Sequence, residues 1–189
     1  DLSKALREIY NSPSSEIKKK VDLAKKSVSY FKWDTVAEKN LSFIHKNLFQ
    51  SNNSKSKIGW ISTWNQKCGV ASYSRNFIDC IMEEILVFSP FNETPNLKKE
   101  NNVIPSWQYP YNLEQKLDQL YLEIVSSGIT SLVIQFNYSF FDFKEFSRFL
   151  YKINSKQINL IIFLHSTIDP EKQELKRLSL LTDSLQKCN

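Results

Sequence analysis

The chain has 189 residues, with 41% hydrophobic and 13% aromatic residues and a formal net charge of +5. That supply of apolar side chains fills the core of one domain or slightly more and excludes a disordered polyelectrolyte. The excess charge is local. Residues 1–56 hold 11 of the 25 basic and 6 of the 20 acidic residues, which leaves 14 of each for residues 57–189. A nucleic-acid groove gathers its cations on the folded domain, so the neutral remainder excludes nucleic acid as a partner.

Residues 1–50 read as helical. Leu2, Leu6 and Ile9 end one helix near Asn11-Ser12-Pro13, where proline stops it. Ser14 or Ser15 is the expected cap of the next, striped by Ile17, Val21, Ala24, Val28 and Phe31. Asp34 is the expected cap of a third, striped by Val36, Leu41, Ile44 and Leu48. These stripes are expected to cover something. Their lysines read as a solvated face, with peripheral contact to an anionic membrane surface as the alternative. Ser51–Ser56 contains no apolar residue and is the expected linker.

From residue 57 the pattern alternates. Ile58, Trp60 and Ile61 form a β-prone run, and the turn through Cys68-Gly69 leads into Val70, Tyr73, Phe77, Ile81 and Ile85 at helical spacing. Leu86–Phe88 reads as a strand and Val103–Pro105 as a short edge strand that tolerates proline. Trp107, Tyr109 and Tyr111 are either a sugar-stacking platform or a loop pinned to the core. A helix through Leu113, Leu117, Leu120, Tyr121 and Ile124 ends at Ser127-Gly128. Ser131–Phe136 is a strand, Phe143, Phe146, Leu150 and Ile153 a helix, Ile158–Leu164 a strand and Glu171–Lys187 a final helix. Such alternation implies right-handed crossovers and an α/β fold with a Rossmann-like parallel sheet.

Ligands of such sheets bind beyond the carboxyl ends of the strands. Three segments fall there: the Gly69 turn, the Gln135–Ser139 loop, and His165 after Leu164. Gly69 has no Cβ, and a helix N-terminus presents free amides to anions. For Cys68, Cys80 and Cys188 no paired spacing exists, so neither a disulfide framework nor a metal site is expected. A reducing cytoplasm fits this usage. No P-loop or G-x-G-x-x-G string occurs.

The string T-W-N-Q-K-C-G-V-A-S-Y-S, Thr63–Ser74, resembles the first strand–loop–helix of bacterial family 4 glycosyltransferases. Leu132–Phe141 and Leu160–Asp169 resemble a later strand–loop and the strand ending in that family's histidine, in the expected order. The resemblance implies a GT-B fold and retaining transfer of a sugar from a nucleotide-sugar donor to an acceptor hydroxyl, without metal or other cofactor. It implies that His165 faces the donor sugar and that Gly69, flanked by Cys68 and Val70, lies near the donor diphosphate. Gln135 and Tyr138 then belong to the acceptor side, with Asn65 and Lys67 as polar groups of the first loop. A glycan, lipid or protein would be the acceptor. Ser139 departs from the usual glycine. The E-x7-E carboxylates of the second Rossmann half do not occur in residues 57–189.

L-R-E-I-Y-N-S-P and Tyr30–Leu41 resemble the C-terminal tail of the same family. The organisation implied is a tandem fragment. Residues 1–50 would close one transferase unit, 51–56 would link, and 57–189 would open the next, inactive without its second half. An ordinary helical extension is the alternative for residues 1–50, and a non-catalytic α/β binding or scaffold domain is the alternative for the function.

Overall fold

The structure, a computed structural model, describes residues 2–29, 32–48, 57–80, 83–91, 100–109 and 115–186. The expected linker, Phe31, Ile81, Tyr111 and Leu113 lie outside the described residues. Five parallel strands, β1 (Ile58–Ile61), β2 (Ile85–Pro90), β3 (Val103–Trp107), β4 (Ser131–Phe136) and β5 (Asn159–Leu164), form one sheet in the order β3-β2-β1-β4-β5. This is a Rossmann-like α/β sheet. The proline-bearing β3 lies at its edge, where the missing N–H of Pro105 costs no ladder bond.

The order reverses between β1 and β4. β1 pairs on one side with β2, Ile61 opposite Phe88, and on the other with β4, Ile61 opposite Ile134. Chains leave the carboxyl ends of these two strands in opposite directions, and a crevice opens between them. The strands are buried on both faces, as a sheet covered by helices requires.

On one face Trp60 and Val133 of the sheet cluster with Phe77 of α4 (Gly69–Ile78) and Ala37 of α3 (Trp33–Leu48). On the other, Leu132, Ile134 and Phe136 meet α5 (Asp118–Ser126) and α6 (Phe143–Asn154) in a larger cluster rich in phenylalanine. Phe141 and Phe146 stack at 4.7 Å within it. Gly59 is a packing requirement here. An added Cβ would come within 2.5 Å of Ile129 Cδ1 and 2.9 Å of Phe88 Cε2.

Several boundaries differ from the sequence reading. The Val70 stripe stops at Ile78, and Ile85 belongs to β2; an apolar strand residue merely fell in phase with the helix. Leu117 precedes α5 rather than lying in it. Asp34 sits inside the first turn of α3, where its Oδ1 accepts from Cys80 Sγ instead of capping. Pro13, not a serine, occupies the cap position of α2 (Ser14–Val28). Helix Glu171–Lys187 is replaced by two 3-10 turns, Glu174–Lys176 and Leu178–Leu181, and a short α7 (Thr182–Gln186). Leu175, Leu178 and Leu181 are spaced by three, the period of a 3-10 turn, and extended Arg177 separates the turns.

The helical segment buries little. α1 (Leu2–Asn11) and α2 bury no residue, and Leu2, Leu6, Ile9 and Leu23 stand exposed. Within the described residues their stripes are uncovered; only α3, through Ala37, joins the core. No described helix is long and apolar enough to cross a membrane.

Candidate functional site

The loop leaving β1 is held by its own polar groups. Ser62 Oγ donates to Thr63 O at 2.7 Å and lies 2.8 Å from Ser74 Oγ, which accepts from Trp60 Nε1 at 3.0 Å. All are buried, so satisfied hydrogen bonds are what make this polar core tolerable. Further out, Trp64 Nε1 donates to Glu100 Oε2 at 2.7 Å. Arg75 lies 4.2 Å over the Trp64 ring and donates to Glu100 Oε1. Its guanidinium also reaches Asn65 Oδ1 at 3.4 Å. Asn65 is thus engaged in shaping the loop, while Lys67 points to solvent.

Cys68 caps α4. Its Sγ accepts from Ala71 N at 3.4 Å and lies 3.1 Å from Thr63 Oγ1. Val70 is buried in the larger core, so only its backbone is placed to meet a ligand. Gly69 is exposed, and an added Cβ would meet nothing within 4 Å. Neither packing nor a left-handed backbone demands glycine here. The Gly69 and Val70 amides, in the first turn, have no intrahelical acceptor.

Across the switch point, Gln135 is fully buried within β4, one residue before its end. Its Oε1 lies 2.7 Å from His165 Nε2. His165 follows β5, and its own amide donates to Phe136 O at 3.2 Å, which extends the sheet by one bond. Tyr73 of α4 meets the imidazole edge-on at 5.5 Å. Burial pushes the His165 pKa down, favouring the neutral ring, and pushes the Tyr73 phenol up.

The loop after β4 is organised by Asn137, whose Oδ1 accepts from Ser139 N at 3.0 Å and from Ser139 Oγ at 2.8 Å. A side chain that closes such a turn serves where glycine would otherwise be used. Tyr138 packs against Phe136 and Phe143, and its hydroxyl donates to Asp169 Oδ1 at 3.0 Å. Burial, with the Asp169 hydrogen bond and charge, pushes its pKa up to about 12. Tyr138 therefore stays protonated at neutral pH and acts as a hydrogen-bond donor. Beneath it Lys176, 4% exposed, donates to Tyr138 O and Phe141 O.

Gln135 and His165 thus meet directly, and Tyr73 of the Gly69 helix closes on them. Tyr138 is tied instead to Asp169, and Asn65 to Arg75. Sequence reasoning passed over Tyr73, Glu100, Lys176 and Asp169. Tyr73 was visible only as an apolar stripe position, and long-range partners such as Glu100 carry no local signature. Trp107 is the last residue of β3, fully buried, and donates to Phe88 O at 3.0 Å, so it is a core residue of the edge strand, neither an open sugar platform nor part of a loop.

Compared with protein-family models, curated proteins and solved structures, the chain matches none. Two open depressions, of about 660 and 510 Å³, are lined by α1–α2 residues such as Arg7 and Lys20 and by Phe143, Leu175 and Leu180. Neither is lined by the candidate residues.

Proposed function

We propose that residues 57–189 are the acceptor-side half of a GT-B glycosyltransferase of the family 4 type, which moves a sugar from a nucleotide-sugar donor to a hydroxyl of a glycan, lipid or protein, with retention. The observation that carries this reading is the meeting of Gln135 and His165 at the carboxyl edge of the sheet, with Tyr73 of the helix that Gly69 opens against the imidazole. His165 contacts the sugar, and the first-turn amides of α4 lie toward the diphosphate. A second Rossmann half supplies the carboxylates and the basic phosphate contacts. The departing diphosphate is stabilised by fixed dipoles and cations, without a resident metal. The setting is cytoplasmic, with the basic helices as a solvated face and peripheral contact to the inner face of a membrane as the alternative.

The test is transfer from a panel of radiolabelled nucleotide sugars by the full-length protein. The expected result is a labelled product that His165→Ala reduces by about 100-fold or more with the fold retained. The isolated 189-residue segment should give none. Absence of transfer across the panel, or indifference to His165→Ala, overturns the proposal. The alternative, a non-catalytic binding or scaffold domain, draws support from the uncovered apolar side chains of α1, such as Leu6 at 57% exposure.

A further inference from the structure

We infer that Gln135 is the positioning residue of His165: it fixes the ring as the Nε2–H tautomer and leaves Nδ1 as the acceptor for a ligand hydroxyl. Gln135 cannot wander. It is fully buried, and its backbone is paired with Phe163 of β5. The His165 backbone is fixed in turn by its bond to Phe136 O, so the tips of β4 and β5 are joined twice, once through backbone and once through side chains.

The electronic consequence follows from the atoms in contact. A neutral imidazole has one donor and one acceptor nitrogen, and an amide oxygen only accepts. With Gln135 Oε1 at 2.7 Å the proton resides on Nε2. Nδ1 then holds a lone pair, and it has no partner among the described residues. Tyr73 meets the ring edge-on at 5.5 Å, and burial is what holds the His165 pKa down. A lone pair repels phosphate or carboxylate oxygens and attracts O–H or N–H donors, so the ligand group placed here is a hydrogen-bond donor, which in a sugar is a hydroxyl.

Stability does not explain Gln135. Its Nε2 is buried without a hydrogen-bond partner among the described residues. An orphaned amide donor destabilises, and an apolar side chain would fill the same space without that cost. What the amide provides is the orientation of the histidine. As a role in sugar transfer the inference rests on the function proposed above; as a property of the ring it stands alone.

The experiment is long-range proton–nitrogen correlation NMR on the ¹⁵N-labelled protein. Its two histidines, His45 and His165, are distinguished by a His45→Gln variant. Above the titration midpoint His165 should show one tautomer, with the proton on Nε2. Gln135→Leu should admit the second tautomer. Gln135→Glu should raise the His165 midpoint by about one pH unit or more, because an adjacent carboxylate favours imidazolium. A proton on Nδ1 or a mixed population in the wild type overturns the inference, as does an unmoved midpoint in folded Gln135→Glu. If the wild type shows the single tautomer but transfers no sugar, the proposed function fails and the positioning role survives.

Discussion

Tyr138 donates its hydroxyl hydrogen to Asp169 Oδ1 at 3.0 Å, and the same oxygen accepts from Leu178 N at 2.9 Å. One carboxylate oxygen therefore ties the loop after β4 to both parts of the chain that follows β5. This tie sets where the exposed face of the Tyr138 ring stands at the carboxyl edge.

Asp169→Ala should release that tie. The Tyr138 phenol, held up at about 12, should titrate closer to its ordinary value of about 10 once the neighbouring charge and hydrogen bond are gone. Ultraviolet or NMR titration of Tyr138 reads this directly. Hydrogen exchange at the Leu178 amide should quicken, while global stability falls by no more than about 1 kcal/mol per lost bond.

Lys176 predicts an unusual pH dependence. Burial pushes its pKa down to about 8, with Asp142 opposing, against about 10.4 in an unfolded chain. Well below pH 8 both states hold the proton, and the full cost of burying the cation is present. As pH rises from about 8 to about 10.4 the folded state releases the proton first, so this group makes folding more favourable. The stability of the wild type relative to Lys176→Met should therefore rise between about pH 7 and about pH 10. Denaturant unfolding at several pH values checks it; a constant difference contradicts it.

Two glycines should respond oppositely to alanine. At Gly59 the new methyl collides with Ile129 and Phe88, and Gly59→Ala should destabilise by about 1–3 kcal/mol. At Gly69 there is open space and a helical position, so Gly69→Ala should be neutral or stabilising by about 0.5 kcal/mol. Urea unfolding midpoints measure both. If the Gly69 backbone meets a nucleotide sugar, the same variant should weaken donor binding while gaining stability.

Asp118 and Arg148 form a surface network with Lys152 and Glu145 that joins α5 to α6. Hydrogen bonds from Lys152 and Arg148 hold the Asp118 carboxyl below its ordinary range. A carboxylate with a depressed folded-state pKa contributes stability above the unfolded pKa of about 3.9 and loses it as pH falls further. These groups are largely exposed, so solvent screening keeps the effect small. Asp118→Asn should change little at neutral pH and should flatten the acid limb of the stability curve, as read by thermal melts from about pH 6 to about pH 2.

The sequence by itself determined the element types and their order from β1 through β5, residues 58–164. Ser131–Phe136 was legible because a strand covered on both faces must be apolar throughout, and Phe143–Asn154 because its core side chains recur at three and four. The strand-tip position of His165 followed from the run that precedes it. Local chemistry carries those signals, whatever the rest of the chain does. Only the tertiary structure decided the strand order, and with it the switch point between β1 and β4. It alone gave Cys68 to the helix cap, Gln135 to His165 and Tyr138 to Asp169, and it broke the last helix into 3-10 turns. Each of those outcomes depends on partners 30 or more residues apart or on which side-chain atom wins a local hydrogen bond. Spacing along the chain contains neither.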